Sequence, residues 1–422
     1  MPVVAGRDAI ESPYAWARLA MSLLLMTIGG SGMYGITVVL PRMQQDFGIA
    51  RGEASLPYTL TMIGFGLGGI FMGRLADRIG IMAVVMLGAV GLGLGYIAAG
   101  LAPGLASFAL AQGVLVGALG TSATFAPLVA DTSRWFDRRR GIALAICMSG
   151  NYTAGAVWPP VMQHFIATVG WRQTYIGMGV FCIASMVPLG LALRRRPPVV
   201  ATAAAATSAA PAATAQRPLG LPPNVLLALL CVAGVSCCVA MSMPQVHIVA
   251  YCSDLGFGPA RGAEMLSLML GMGVVSRLVS GWVSDRIGGL RTLLLGSLLQ
   301  GVALLLFLPA DRLVSLYVVS ALFGLFQGGI VPAYALIVRE YFPPQEAGAR
   351  VGTVLMATLF GMALGGWMSG AVFDLTGSYR AAFLNGIGWN LLNLTIIGGL
   401  LWRASSLGLV RGWPGVRARA AA

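Results

Sequence analysis

Apolar runs of about 20 residues recur along the whole chain of 422 residues, and they constrain its fold more than any other feature. A helix of this length crosses the hydrocarbon core of a bilayer, which is about 30 Å thick. Backbone groups in lipid must pair with one another, so such runs form helices unless strands close into a barrel. The runs lack the alternating pattern of barrel strands. The sequence therefore predicts an all-α membrane protein.

Twelve such runs predict twelve transmembrane helices. They lie at residues 16–40, 54–75, 81–100, 105–130, 141–165, 173–193, 223–250, 263–283, 290–308, 312–338, 350–372 and 381–402. The composition agrees, because only 10% of the residues are charged and a soluble protein needs about 25%. We expect no cleavable signal peptide at the start of the chain.

The distribution of arginines predicts how the helices are oriented. All 27 basic residues are arginines, of which 20 fall on one side of the predicted membrane and six on the other. Positive residues favour the cytoplasmic side, so both termini are expected in the cytoplasm, with the protein in a bacterial inner membrane. The net charge of +13 comes from short loops between helices. It therefore gives no reason to expect nucleic acid as a partner.

A low-complexity segment separates the sixth run from the seventh. It reads "RRRPPVVATAAAATSAAPAATAQRPLGLPP" and offers nothing that builds a core. We predict a six-helix bundle at residues 1–193, a cytoplasmic linker at 194–222 and a second six-helix bundle at 223–422.

The two predicted bundles repeat one another. The motif "GRLADRIG" after the second run returns as "GWVSDRIG" after the eighth, which puts Asp77 and Asp285 208 residues apart. Arg172 and Arg380 have the same separation. Matching motifs on matching sides of the membrane indicate two bundles of the same topology, related by an axis along the membrane normal.

With its six-plus-six layout, the repeated G-x-x-x-D-R-x-G motif resembles that of the major facilitator superfamily. The resemblance covers nearly the whole chain and implies the fold of that family. It also implies that the loop charges pin helix ends and hold one conformation closed. The matching residues are Asp77, Arg78, Asp285 and Arg286. Simple capping and anchoring of the loops is the alternative role.

Arg277 lies inside the eighth run, in "GMGVVSRLVSGWVSD". A cation at that depth costs at least a few kcal/mol and marks a functional site by default. Each of the 14 acidic residues falls in a loop or close to a predicted helix end. An anionic substrate is therefore the simplest counter-charge, and the planar fork of arginine suits a carboxylate. The alternatives are snorkelling to the interface or bonding to backbone carbonyls.

Other polar residues lie at similar depth. His247 follows Pro244 in the seventh run, and it titrates near physiological pH, so it is a candidate proton carrier or a structural histidine. Glycine-flanked polar residues in other runs are candidate substrate contacts, with helix packing as the alternative. These candidates are Tyr34, Asn151, Gln327, Tyr334 and Asn390.

Arg277, His247 and the sequence "DLTGSYRAAF" together resemble the monocarboxylate transporter and oxalate:formate antiporter branch. The monocarboxylate group is similar in using this arginine as a substrate counter-ion and in carrying a proton. Many animal members carry an aspartate four residues before it, where this chain has Gly273. The oxalate exchangers add a second cation in the eleventh helix, whereas the stretch "VGTVLMATLFGMALGGWMSG" of this chain contains none. A single cation within the membrane is expected to bind one carboxylate better than two.

These features predict a secondary transporter of a small monocarboxylate such as lactate or pyruvate, with proton symport by alternating access. An exchanger or uniporter of oxalate, formate or a larger carboxylate is the alternative, and a membrane sensor that binds without transport is a remote one. The six cysteines read as buried apolar residues. We expect no catalytic residues, metal site or cofactor, and the expected partners are an organic anion, protons and lipid.

Overall fold

The computed structural model describes residues 10–195 and 218–408. These residues form twelve long helices, which are joined by short connections. The helices are α1 Pro13–Phe47, α2 Arg51–Ile79, α3 Ile81–Gly100, α4 Leu105–Ser133, α5 Arg140–Val169, α6 Trp171–Ala192, α7 Pro223–Asp254, α8 Pro259–Ile287, α9 Gly289–Phe307, α10 Leu313–Tyr341, α11 Pro344–Thr376 and α12 Tyr379–Ser406.

The prediction of an all-α chain with membrane-length helices is confirmed for the part of the chain that the structure describes. Eleven helices are long and apolar enough to cross a membrane. The remaining one, α5, has 30 residues but a more polar sequence, which includes Asn151, Gln163 and two adjacent prolines. Several helices extend beyond the predicted runs, as α1 does by three residues at its start and seven at its end.

The outer surface of the helices is apolar. Large side chains such as Phe71, Leu110, Trp282 and Leu391 are more than half exposed. A soluble protein seldom exposes so much contiguous apolar surface, whereas lipid tails accept it. The chain is a multi-pass membrane protein.

Three helices are interrupted near their centres. In α4 a π-helical segment, Ala111–Thr121, is followed by a break before Ala126–Ser133. In α1 the helical segments are Pro13–Gly29 and Ser31–Phe47. In α10 they are Leu313–Gln327 and Ile330–Tyr341, with two glycines between them. Interrupted helices leave backbone groups free and are common where a helix lines a polar cavity.

The internal repeat recurs in the contacts. Arg172 donates through Nη1 to the carbonyl of Gly100 at 3.2 Å. Arg380 donates through Nε to the carbonyl of Leu308 at 3.3 Å. Donor and acceptor are both displaced by 208 residues, so α1–α6 (the first half) and α7–α12 (the second half) use the same device between their third and sixth helices.

The two ends of the bundle differ in how the halves meet. The end where α1 starts and α12 ends is called the terminal side, and the other end the distal side. Within the described residues, five residues donate hydrogen bonds to the opposite half. They are Arg51, Gly52 and Thr59 of the first half and Ser267 and Arg277 of the second. From Arg51 to Thr59 these bonds run down the distal part of α2. The one nearest the terminal side belongs to Arg277.

The predicted linker at 194–222 lies mostly outside the described residues. Of its described part, the carbonyls of Leu219 and Gly220 accept hydrogen bonds from the guanidinium of Arg403, at 2.6 and 3.2 Å. These hydrogen bonds hold the residues that precede α7 against the end of α12.

Candidate functional site

Arg277 lies deep in α8, ten residues before its end at Ile287. At 1.5 Å per residue it is about 15 Å from the terminal end of the helix. Small residues press α8 against α10 at the same level. A Cβ at Gly328 would lie 2.3 Å from the carbonyl oxygen of Gly273, and one at Gly329 would lie 2.1 Å from Ser280. Close backbone approach of this kind fixes a membrane helix, so the backbone that carries Arg277 is held firmly.

The Arg277 side chain crosses to α5 in the first half. Its Nη1 donates to the carbonyl of Met148 at 3.1 Å. Its guanidinium carbon lies 4.4 Å from the centre of the Tyr152 ring. The buried Nε has no hydrogen-bond partner. Among the described residues, no carboxylate pairs with Arg277.

A fully buried arginine elsewhere in this chain shows how an arginine side chain pairs with a carboxylate. Arg18 donates through Nε and Nη2 to the two oxygens of Asp131, at 2.8 and 3.1 Å. Both side chains are at most 5% exposed. That pair is a side-on fork on a carboxylate, the geometry in which arginine binds most specifically. In Arg277 the corresponding Nε has no hydrogen-bond partner within the described chain.

Asn151 and Tyr34 lie beside this arginine. Asn151 is on α5 between the two residues that contact Arg277, and its buried Oδ1 has no partner. Its Cα lies 3.8 Å from the position of a Cβ at Gly30, at the interruption of α1. Tyr34 is buried on α1, and its Cζ lies 3.0 Å from the position of a Cβ at Gly155, three residues after Tyr152 on α5. The structure thus brings these three predicted residues together at one corner, defined as the arginine corner: Tyr34, Met148, Asn151, Tyr152 and Arg277.

Gln327 ends the first segment of α10 and points towards α7. Its Oε1 accepts a hydrogen bond from Nε2 of Gln245 at 2.9 Å, and its own buried Nε2 has no partner. The pair therefore retains a spare donor next to the interruption. Sequence reasoning did not single out Gln245, although it directly follows Pro244.

Tyr334 and Asn390 have partners inside the second half. The Tyr334 hydroxyl donates to Oδ1 of Asn393 at 2.9 Å. Asn393 and Asn390 both donate to Ser297 on α9, at 2.7 and 3.0 Å. These buried side chains join α9, α10 and α12. They do not contact Arg277.

His247 is fully buried on α7. Its Nε2 lies 2.8 Å from the carbonyl of Gly366 on α11, so this nitrogen carries the proton and donates. Its Nδ1 is buried and has no partner. The ring is 5.9 Å from that of Tyr379, which puts His247 near the distal side and apart from the arginine corner.

The four predicted gating residues do not bridge the halves in this conformation. Asp77 pairs with Arg134 of the first half at 2.8 Å, and both side chains are more than half exposed. Arg286 stacks over Trp282 of its own helix. Arg78 and Asp285 form no ion pair within the described residues.

A polar cluster that sequence reasoning missed joins the halves on the distal side. We define the distal cluster as Arg51, Asp254, Asp374 and Tyr379. Arg51 donates to Asp254 at 3.0 and 3.3 Å and also to the Tyr379 hydroxyl. The Asp374 carboxylate accepts the backbone N–H groups of Arg51 and Gly52, at 2.9 and 2.6 Å. An acid of α11 therefore caps the start of α2, where the helix dipole favours it.

Other kinds of site find no support in the described chain. It contains no group of three or more His, Cys, Asp or Glu residues that could hold a metal ion. The six cysteines are free thiols, and all but Cys231 are buried. Arg277, with its unpaired Nε, is consequently the strongest candidate site for a ligand.

Comparison with known proteins agrees with this architecture. Residues 21–311 and 254–407 match the model of the Major Facilitator Superfamily. Monocarboxylate transporter 13 of Rattus norvegicus is 29% identical over 320 residues, which cover 74% of this chain and 71% of the relative. Monocarboxylate transporter 11 of Homo sapiens is 28% identical over 341 residues, covering 74% and 66%.

Solved structures share the fold at low identity. A peptide transporter POT in complex with sulfate superposes with a TM-score of 0.74 at 16% identity, covering 97% of this chain and 98% of that one. An inward-facing bacterial homologue of the lysosomal transporter Spinster gives 0.73 at 14% identity, covering 96% and 100%. The chain therefore belongs to the Major Facilitator Superfamily and, within it, resembles the monocarboxylate transporters.

Proposed function

We propose that this protein is a secondary transporter of a small organic monocarboxylate of the lactate and pyruvate class, in a bacterial inner membrane with both termini cytoplasmic. The observation that carries the proposal is that Arg277 has an unpaired Nε and no carboxylate partner among the described residues. Arg277 is the cross-half contact nearest the terminal side, so a ligand bound there touches both halves. The names of the similar transporters support the substrate class.

The charge balance of the site favours a monoanion. Arg277 has no acidic partner among the described residues, so a single carboxylate completes it. A dianion would bring a second charge to a corner whose other members are neutral, namely Tyr34, Asn151 and Tyr152. Burying an unpaired charge is costly, so the second carboxylate should weaken binding.

Coupling to protons is the second part of the proposal. With no acid beside Arg277, the coupled proton travels on His247 or on the substrate carboxylate. The Nε2 bond to Gly366 leaves Nδ1 of His247 free to accept a proton. The same absence of an acid favours the second candidate function, which is exchange or uniport of an organic anion without proton coupling.

Uptake into proteoliposomes tests both parts. Labelled lactate, pyruvate, oxalate and succinate are supplied with and without an inward proton gradient, and lactamide is added as a neutral competitor. We expect lactate or pyruvate to be accumulated when the gradient is imposed, and lactamide to compete poorly. Arg277→Gln should lose this uptake. Arg312→Gln, which removes the charge of an exposed arginine at the distal end, is its matched control.

Two outcomes would change the proposal. Equal inhibition by lactamide and lactate would mean that Arg277 does not select a carboxylate. Uptake that requires a counter-anion inside the vesicle and ignores the proton gradient would favour the exchanger.

A further inference from the structure

Tyr152 and Gly273 form an interlocked pair beside Arg277. An ideal Cβ at Gly273 would lie 2.6 Å from both Cδ1 and Cε1 of Tyr152, closer than real Cβ atoms approach. The aromatic ring therefore occupies the space that any larger residue at position 273 would need. Gly273 and Arg277 are four residues apart on α8, so they lie on the same face of the helix.

The ring seated on Gly273 covers one face of the guanidinium. The guanidinium carbon is 4.4 Å from the ring centre, well inside the range of a cation–π interaction. Tyr152 is only 7% exposed, so the ring shields this face of the guanidinium from water, which strengthens a cation–π interaction. Together with the bond from Nη1 to Met148, the ring fixes both the position and the plane of the arginine.

We propose that Tyr152 is a positioning residue of the anion site, which holds the guanidinium of Arg277, with its unpaired Nε, in place for one planar carboxylate. The inference rests on the proposed function for the identity of the ligand, but the positioning itself does not. A neutral ring orients the arginine without neutralising it. The empty site thus stays cationic, and no acid of the protein has to be displaced when the ligand binds.

Four variants separate this role from general packing. Tyr152→Phe keeps the ring, whereas Tyr152→Leu removes it. Gly273→Ala introduces the Cβ that collides with the ring. Gly271→Ala is the matched control on the same helix, because its Cβ would meet Ala156 at an ordinary 3.8 Å. Thermal melting of each variant in detergent verifies that it is folded.

The first readout does not depend on any substrate. Phenylglyoxal modifies accessible arginines, and mass spectrometry of the peptide that contains Arg277 gives its rate. We expect the rate to rise severalfold in Tyr152→Leu and Gly273→Ala, and to stay within about twofold of the wild type in Tyr152→Phe and Gly271→Ala. Equal rates in all four variants would overturn the proposal.

The second readout is the KM for lactate in proteoliposomes. Loss of about 1–2 kcal/mol of cation–π stabilisation corresponds to a rise of about five- to thirtyfold in KM for Tyr152→Leu. The double variant Gly273→Ala/Tyr152→Leu should be no worse than Tyr152→Leu alone, because Gly273 acts through the ring. Additive losses would mean that Gly273 acts independently and would overturn the pairing. Changed reactivity of Arg277 without any lactate transport would instead refute the proposed function and leave the positioning role intact.

Discussion

Replacing Arg51 by glutamine should shift the protein towards conformations in which the two halves are separated on the distal side. The guanidinium donates to Asp254 and to the Tyr379 hydroxyl. Asp254 is 37% exposed, so solvent screens that pair and it contributes at most about 1 kcal/mol. Tyr379 is 4% exposed, and a hydrogen bond from a charged donor to it adds about 1.5 kcal/mol. A total of about 2–2.5 kcal/mol predicts an increase of at least tenfold in the ratio of open to closed distal side.

Cysteine labelling measures that ratio. Ala363→Cys supplies the reporter, because Ala363 is 2% exposed and lies where α11 meets Thr59 of α2. A membrane-impermeant maleimide added on the distal side should label this cysteine about tenfold faster when Arg51→Gln is present. Rates are compared with the chain that lacks the reporter.

Arg261→Gln is the matched control for the distal cluster. Arg261 is also a distal arginine with an acidic partner, but that partner is Glu264 of its own helix. If Arg51→Gln labels no faster than Arg261→Gln, the distal cluster does not hold the halves together, and the reasoning from its hydrogen bonds is refuted.

Four further substitutions test other parts of the structure. His247→Gln keeps a donor for Gly366 but cannot titrate, so proton-driven lactate accumulation should disappear while exchange at equal pH persists; retained accumulation would exclude His247 as the carrier. Asp77→Asn and Asp285→Asn should shift cysteine labelling between the two sides without loss of folding, and unchanged labelling and transport would reduce both to loop anchors. Tyr334→Phe removes a buried hydrogen bond and should lower stability by about 1–2 kcal/mol in thermal melting; a raised KM for lactate would instead mean that Tyr334 touches the substrate.

The helices and the depth of Arg277 were predictable because both follow from position along the chain. The cost of a charge in lipid depends on its distance from the interface, which residue counting supplies. The partners of Arg277 were not predictable in this way. The contact with Tyr152 depends on which faces α5 and α8 turn to one another, and one sequence does not determine that rotation. The glycine at position 273 was the available signal, since a small residue permits close approach.

The distal cluster was missed for a different reason. Arg51, Asp254 and Asp374 all lie at or near helix ends, where charged residues are normally solvated. Arg51 is more than 200 residues from either acid, so the sequence shows no local pattern. The buried pair of Arg18 with Asp131 escaped notice on the same grounds.

The repeat was also an incomplete guide to contacts. It places Asp77 and Asp285 in the last turns of the corresponding helices α2 and α8. Asp77 pairs with Arg134, but the residue 208 positions after Arg134 is Phe342. Equivalent backbone therefore does not provide an equivalent ion pair, because each half has acquired its own side chains.

Binding of lactate to Arg277→Gln tests the central claim most directly. Isothermal titration in detergent compares the wild type with this variant, with lactamide as the uncharged probe. Truncating one partner of a buried charged pair typically costs about 2–5 kcal/mol, so lactate affinity should fall by at least about tenfold, and lactamide should bind both proteins weakly. Lactate affinity in Arg277→Gln equal to that of the wild type would contradict the account and locate the anion site elsewhere.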